Sequence, residues 1–232
     1  MHSFYIPDIE TNTRELFLNE EESKHACRVL RLQNQDEIQI LDGKGHTFDA
    51  TIIENNPKKC KINIDSYSLE EKSEHEIHIA LAPTKNMDRI EWFFEKSTEL
   101  GITEISLFFS KNSERKQVKT ERLEKILVSA MKQSQRTYLP KLNIFNSLVE
   151  FLEKNPAGAI AHCYDETKSN LKSCFKTNNF PILIGPEGDF TLDEVKKAQE
   201  YQYTTIDLGK NRLRTETAAL YACMFAKTII ES

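Results

Sequence analysis

Within the first seventy residues the apolar positions fall in short alternating runs. Ile38-Gln-Ile40-Leu41 and Thr51-Ile-Ile53 flank Asp42-Gly-Lys-Gly45, and Asp-Gly between two such runs is hairpin chemistry because the turn needs positive φ. Lys61-Ile-Asn-Ile-Asp65 alternates as a half-buried strand does. Glu20–Leu30 instead predicts one short helix carrying His25 and Arg28, with Arg31 just beyond its end. Several short strands and one helix predict a small barrel-like module. The polar stretch Leu69–Glu76, without Gly or Pro, marks its boundary.

The rhythm then changes. Ile77–Ala82 predicts a strand, and Ile90, Phe93, Phe94, Ser97 and Leu100 share one face of a helix over Asp88–Leu100 that Gly101 caps. Further strands are predicted at Ile102–Phe109, Leu142–Phe145, Gly158–Cys163, Pro181–Ile184 and Thr204–Leu208, with a helix at Thr120–Ser134. Ser147-Leu-Val-Glu150 and Thr191-Leu-Asp-Glu194 read as capping boxes opening two more helices. Such alternation predicts a mostly parallel sheet with helices on both faces, and ligands at the C-terminal ends of its strands. The last helix, Thr215–Ile230, is apolar nearly all round, so it needs cover on more than one side. Burial in a knot-like core or in a dimer interface would satisfy it.

The net charge of −5 argues against a nucleic-acid partner, but its distribution argues the other way. Most of the acidic excess lies in residues 1–72, whereas Lys111–Lys141 holds nine Lys and Arg against three Glu. A local basic face can bind RNA on an acidic protein; a solvated helix face is the plain alternative. No apolar run is long enough to span a bilayer and the N-terminus lacks a secretory pattern, so a cytoplasmic protein is expected. The five cysteines form no C-x-x-C pair and the six histidines are scattered, which points to free thiols and no metal site. His75-x-x-His78 reads as entry to a strand.

Two strand ends share a design. Phe180–Ile184 runs into Gly185-Pro-Glu-Gly-Asp-Phe190, and Thr205–Leu208 into Gly209-Lys-Asn-Arg-Leu-Arg-Thr-Glu-Thr217. Glycine at each exit permits positive φ and close backbone approach to a ligand. Exposed amides there can read the edge of an adenine, with Leu208 and Leu213 against its faces. One such loop could be an ordinary turn; two in adjacent units, followed by Arg-Thr-Glu-Thr, point to a ligand site. The chain has no P-loop, no dinucleotide fingerprint and no nucleophile elbow.

Leu183-Ile-Gly-Pro-Glu-Gly188, Leu208-Gly209 and Leu213-Arg-Thr-Glu-Thr-Ala-Ala219 resemble the cofactor-binding signatures of the RsmE family of 16S ribosomal RNA uridine N3-methyltransferases. Lys85, Asp88-Arg89, Glu91-Trp92, Lys96, Thr98–Gly101, Ala130, Gln133-Ser134, Arg136 and Pro140 extend the similarity, as do His25, Val29–Arg31 and Asp42-Gly43. The resemblance implies a PUA-like RNA-binding β-barrel over residues 1–70 and a SPOUT domain, an α/β fold with a deep trefoil knot, over residues 71–232. It implies a homodimer as well. S-adenosylmethionine is the implied cofactor, held by Ile184, Gly185, Pro186, Glu187, Gly188, Leu208, Gly209, Leu213, Arg214, Thr215 and Ala218. The implied partner is 16S rRNA of the small ribosomal subunit. Its contacts are expected at His25, Arg28 and Arg31 in the small domain and at Lys85, Arg89, Lys132 and Arg136 in the large one. Two departures stand out. The family's arginine near the start is replaced by His2-Ser3-Phe4, and Asp189 stands where a second glycine usually follows Pro-Glu-Gly.

Methyl transfer from a sulfonium is an in-line displacement, so positioning dominates, and uridine N3 must also lose its proton. Arg214 and Glu216 are the expected active pair. Arg214 would stabilise the uracil oxygen as charge develops, while Glu216 would orient Arg214 or accept a proton. Alternatively, Glu216 merely anchors the last helix, near whose N-terminus a carboxylate is favourable. A SPOUT enzyme acting on another RNA, such as a tRNA ribose, and a non-catalytic RNA-binding assembly protein are the competing functions. The intact Arg214-Thr-Glu216 argues against the second.

Overall fold

The computed structural model describes residues 1–176, 178 and 180–232. These form two compact units, Met1–Lys72 with Met131–Leu139, and Ser73–Ala130 with Pro140–Ser232.

The first unit is built on a five-stranded sheet in the order β1-β3-β4-β5-β2. Its strands are β1 (His2–Tyr5), β2 (Glu15–Phe17), β3 (Glu37–Leu41), β4 (His46–Glu54) and β5 (Lys61–Leu69). The predicted Asp-Gly hairpin joins β3 to β4: the buried Asp42 carboxylate accepts from the Lys44 and His46 amides at 2.7 and 3.0 Å. Alternation along the strands sends Phe4, Ile38, Ile40, Phe48, Ile52 and Ile62 into one core. In place of a closed barrel, β1 and β2 lie at the ends of the sheet, unpaired with each other among the described residues.

The predicted Glu20–Leu30 helix is two elements. α1 (Glu20–Lys24) runs into a π-helical turn, His25–Val29, where the Leu30 amide reaches back five residues to the His25 carbonyl. Sequence periodicity cannot separate these hydrogen-bond patterns over so few residues. The turn ends at Arg31, whose φ of 58° reverses the chain.

In the second unit a seven-stranded sheet has the order β10-β12-β9-β11-β6-β7-β8, and every recorded pairing is parallel. Along the chain the elements are β6 (His78–Leu81), α2 (Met87–Leu100), β7 (Glu104–Phe108), α3 (Thr120–Gln133), β8 (Lys141–Phe145) and α4 (Leu148–Lys154). Then follow β9 (Gly158–Ala161), β10 (Ser169–Asn170), α5 (Leu171–Cys174), β11 (Ile182–Ile184), α6 (Leu192–Glu200), β12 (Tyr203–Asp207) and α7 (Thr215–Ile230). Leu183 packs with Phe151 of α4 and Val195 of α6. Its neighbours Ile182 and Ile184 point to the other face, where α7 packs on α2, β6 and β11. Helices therefore cover both faces, as the alternation predicts.

His78 does open β6, and its Nε2 lies 2.8 Å from Ser106 Oγ; burial pushes its pKa down to about 4. Thr191 and Glu194 form a complete capping box. Ser147 caps α4 alone, because the Glu150 carboxylate accepts from the Asn146 amide rather than that of Ser147.

The largest departure concerns α7. Only Thr215, Glu216, Ala219, Ala222, Cys223 and Ala226 are buried, while Tyr221 and Met224 are 44% and 59% exposed. This chain covers one small-residue stripe and leaves a second apolar face open.

Candidate active site

The two glycine-bearing loops meet. β9, β11 and β12 lie side by side, so the loops leaving their C-terminal ends share one edge of the sheet. Thr215 Oγ1, at the start of α7, donates to the Gly185 carbonyl at 2.9 Å and ties the loop after β12 to the loop after β11. Between them opens a cleft of about 870 Å³. Of the eleven predicted cofactor residues, all but Gly188 line it. Gly188 sits one step outside, its carbonyl accepting from Asn112 Nδ2.

The glycines serve different ends. Gly209 has a φ of +113°, and an added Cβ would meet nothing within 4 Å, so backbone conformation sets the requirement there. Gly185 has no such φ; a Cβ on it would crowd the Phe190 ring at 3.1 Å. The left-handed residue of that loop is Asp189, at φ 60°, and Asp tolerates this conformation better than most side chains. Its carboxylate accepts from the Phe190 amide at 2.8 Å and from the Cys163 amide at 2.7 Å. The departure at this position thus fastens the loop after β9 to the loop after β11.

The loop after β9 supplies a wall that sequence reasoning missed: His162, Cys163, Tyr164, Glu166 and Lys168 all line the cleft. His162 Nδ1 accepts from the Tyr164 amide at 3.2 Å and Nε2 lies 3.1 Å from Glu166 Oε1, so both ring nitrogens are engaged. Burial lowers its pKa. These residues carry no motif and become a wall only because β9 is central in the sheet.

Arg214 and Glu216 both line the cleft, yet they do not pair. Arg214 is exposed, and its guanidinium has no partner among the described residues. Glu216 is 7% exposed, faces Arg89 Nε at 3.7 Å through Oε1, and leaves Oε2 without a hydrogen bond. The expectation that Glu216 orients Arg214 is corrected: α2 brings Arg89 to it instead. Glu216 makes no capping hydrogen bond among the described residues, and its contact with Arg89 ties the first turn of α7 to α2.

The other charged candidates are dispersed. Lys132 and Arg136, expected in the large domain, fall in the first unit, because Met131–Leu139 packs there. Lys132 is committed to Glu22 at 2.7 Å. His25 is half-buried with its ring edge-on to Phe4, while Arg28 and Arg31 are exposed and without ion pairs among the described residues. Lys85 pairs with Glu114 at 3.0 Å. The basic run does not form a uniform face: Lys111, Arg122 and Lys141 pair with Asp193, Glu91 and Glu104, and Arg115 and Lys116 bind backbone carbonyls. No group of three or more potential metal ligands occurs among the described residues, and no helix there is long and apolar enough to cross a membrane. None of the five cysteines forms a disulfide among the described residues.

Residues 71–227 match the RNA methyltransferase domain family, and residues 18–65 match the RNA methyltransferase PUA domain. A ribosomal RNA small subunit methyltransferase E from Buchnera aphidicola is 29% identical over 97% of this chain and 92% of its own. The chain belongs to the ribosomal RNA small subunit methyltransferase E family. A probable rRNA-methyltransferase from Porphyromonas gingivalis superposes with a TM-score of 0.88 at 35% identity, covering 99% of this chain and 98% of that one. The family's enzyme from Neisseria gonorrhoeae, solved bound to S-adenosyl methionine, also gives a TM-score of 0.88, at 27% identity and the same coverage. The PUA-like module followed by a SPOUT α/β knot is therefore the fold, as the sequence resemblance implied.

The cleft fits the cofactor of this methyltransferase family. Its volume lies in the range of small-molecule sites, it offers apolar walls at Ile184, Ile206, Leu208 and Leu213, and Gly209 leaves open space beside the backbone where a side chain would otherwise stand. Removing the Asp189 clamp should be felt there. Asp189→Ala loses two hydrogen bonds and keeps a strained φ, and should weaken S-adenosylmethionine binding roughly 5- to 30-fold, about 1–2 kcal/mol. Asp189→Gly, which relieves the φ alone, should fall between. Calorimetry on the three proteins tests this, and equal affinities would show that the clamp does not shape the cleft.

Proposed function

We propose that this protein transfers a methyl group from S-adenosylmethionine to N3 of a uridine in 16S rRNA of the small ribosomal subunit, working in the cytoplasm as a homodimer. The observation that carries the reading is the Thr215–Gly185 hydrogen bond, which joins both signature loops into one cleft with Arg214 and Glu216 on its wall. The naming of family relatives as small-subunit rRNA methyltransferases supports the substrate. When bound, the cofactor supplies an electrophilic methyl group.

The chain's own residues do the rest. Backbone at Gly185–Glu187 and Leu208–Gly209 would hold the adenosine, and Leu208 and Leu213 its faces. Arg214, unpaired at the cleft, would meet the uracil oxygen as N3 loses its proton. Arg28 and Arg31 are the best-supported RNA contacts, since both are exposed and uncommitted; Lys and Arg on phosphates position the RNA without reading its sequence. The open face of α7, with Tyr221 stacked on Phe225 at 6.0 Å beside exposed Met224, supports a second copy of the chain as its cover.

The test is methyl transfer from labelled S-adenosylmethionine to small subunits and to deproteinised 16S rRNA, with the modified base identified by mass spectrometry. N3-methyluridine is the expected product. No incorporation into either RNA sinks the enzyme, and a methylated ribose or another base sinks the N3 assignment. Light scattering on the same preparation should give twice the chain mass; a monomer would refute the α7 interface.

A further inference from the structure

We propose that Glu216 and Arg89 form a base-reading pair, in which the buried, unpartnered oxygen of Glu216 accepts the N3–H of uracil and thereby selects uracil over cytosine. The proposal rests on the methyltransferase reading above and assigns the proton acceptor within it.

Glu216 sits in the first turn of α7, 7% exposed, on the wall of the cleft. Oε1 faces Arg89 at 3.7 Å, and Oε2 is buried without a hydrogen bond. A buried acceptor left unpaired costs about 1–3 kcal/mol, and more for a charged one. A ligand that brings an N–H to this point recovers that cost, so the oxygen specifies a donor.

The other candidate acceptors around the cleft are engaged. Glu187 accepts from the Lys85 amide, Asp207 from the Gly209 amide and Asp189 from two amides. Glu166 lies against His162, whose other nitrogen is taken by Tyr164. Asp165 is exposed. Among the described residues lining the cleft, Glu216 is the one carboxylate that combines burial with an unpartnered oxygen.

Uracil presents N3–H, whereas cytosine presents a lone pair at N3, which would face the carboxylate lone pair without a proton between them. The same contact thus binds one pyrimidine and repels the other. In the reaction the N3 electron pair forms a bond to the methyl carbon, the carbon–sulfur bond breaks with its pair left on sulfur, and the N3 proton passes to Oε2. Arg89 is the positioning residue: its guanidinium faces Oε1 at 3.7 Å, which leaves Oε2 as the oxygen without a partner.

The test uses the full chain with S-adenosylhomocysteine and fluorescent decauridylate or decacytidylate, read by anisotropy. Wild type should prefer the uridine strand roughly 10-fold, within the range of one hydrogen-bonded base contact. Glu216→Gln should bring the two affinities within about 2-fold, and Arg89→Lys should retain an intermediate preference. Methyl transfer to small subunits should fall at least about 10²-fold in Glu216→Gln, with S-adenosylmethionine affinity within roughly 3-fold of wild type. Glu216→Gln should melt at or above wild type, because a buried, half-partnered charge has been removed. A melting point well below wild type would place Glu216 in the scaffold and overturn the pair. The pair is also overturned if wild type shows no uridine preference, or if Glu216→Gln keeps it while cofactor affinity collapses. If wild type methylates no RNA, the enzyme reading itself fails; if wild type and Glu216→Gln are equally active, only the pair does.

Discussion

Arg214→Ala should reduce the maximal rate of methyl transfer by about 10²- to 10³-fold, roughly 3–4 kcal/mol, while S-adenosylmethionine still binds. Arg214 precedes α7 in extended backbone at φ −72° and ψ 155°, and its side chain makes no capping hydrogen bond. A cation held at a cleft without a structural partner stabilises nothing in the resting chain, so its removal should leave the melting temperature nearly unchanged. What it can stabilise is charge that appears during the reaction. The alternative for such an arginine is a phosphate contact, and kinetics separates the two. Loss of a phosphate contact raises KM for small subunits and leaves kcat alone, whereas loss of a transition-state contact lowers kcat and kcat/KM together. Saturation curves with small subunits as the varied substrate make the distinction. A pure KM effect would remove Arg214 from the chemistry.

Gly158→Ala should destabilise the second unit by about 3 kcal/mol, at the upper end of single-residue overpacking. Gly158 opens β9, which pairs with β11 on one side and β12 on the other. A Cβ there would stand 2.4 Å from the Pro181 carbonyl oxygen and 2.5 Å from Tyr203 Cε1. Neither can yield cheaply. The carbonyl already accepts from the Ala159 amide at 3.0 Å, and the Tyr203 ring is buried with its hydroxyl donating to the Asn155 carbonyl at 2.6 Å. Backbone must move, and the strands that move carry the two signature loops. Urea unfolding should therefore show a lower midpoint, with a parallel loss of cofactor affinity. A wild-type midpoint would mean that the three strands can separate freely at this end.

Much of this was legible in residue order. Strands and helices of the second unit follow from periodicity because each is long enough to show its period, as with Ile90, Phe93, Phe94 and Ser97, all buried on α2. Gly101, at φ 92°, ends that helix as its position predicts. Short elements escaped: β1, β2, β10 and α5 are two to four residues each, below any period. The π-helical turn at His25–Val29 and the inclusion of Met131–Leu139 in the first unit escaped as well, since both depend on packing rather than pattern.

The site divides in the same way. Residue types and local spacing determined that two glycine-bearing loops follow two strands and that Arg214 and Glu216 stand next to them; chemistry confined to a few neighbouring residues is written locally. Which residues face one another across the cleft was decided only in three dimensions. Strand order 12-9-11-6 brings the loop after β9 between the two glycine loops, makes Asp189 a clamp on Cys163, and sets Arg89, from an element more than a hundred residues earlier, against Glu216. The physical reason is that hydrogen bonds and ion pairs act over about 3–4 Å whatever the separation along the chain. A linear sequence records the donors and acceptors, and only the fold records the distances.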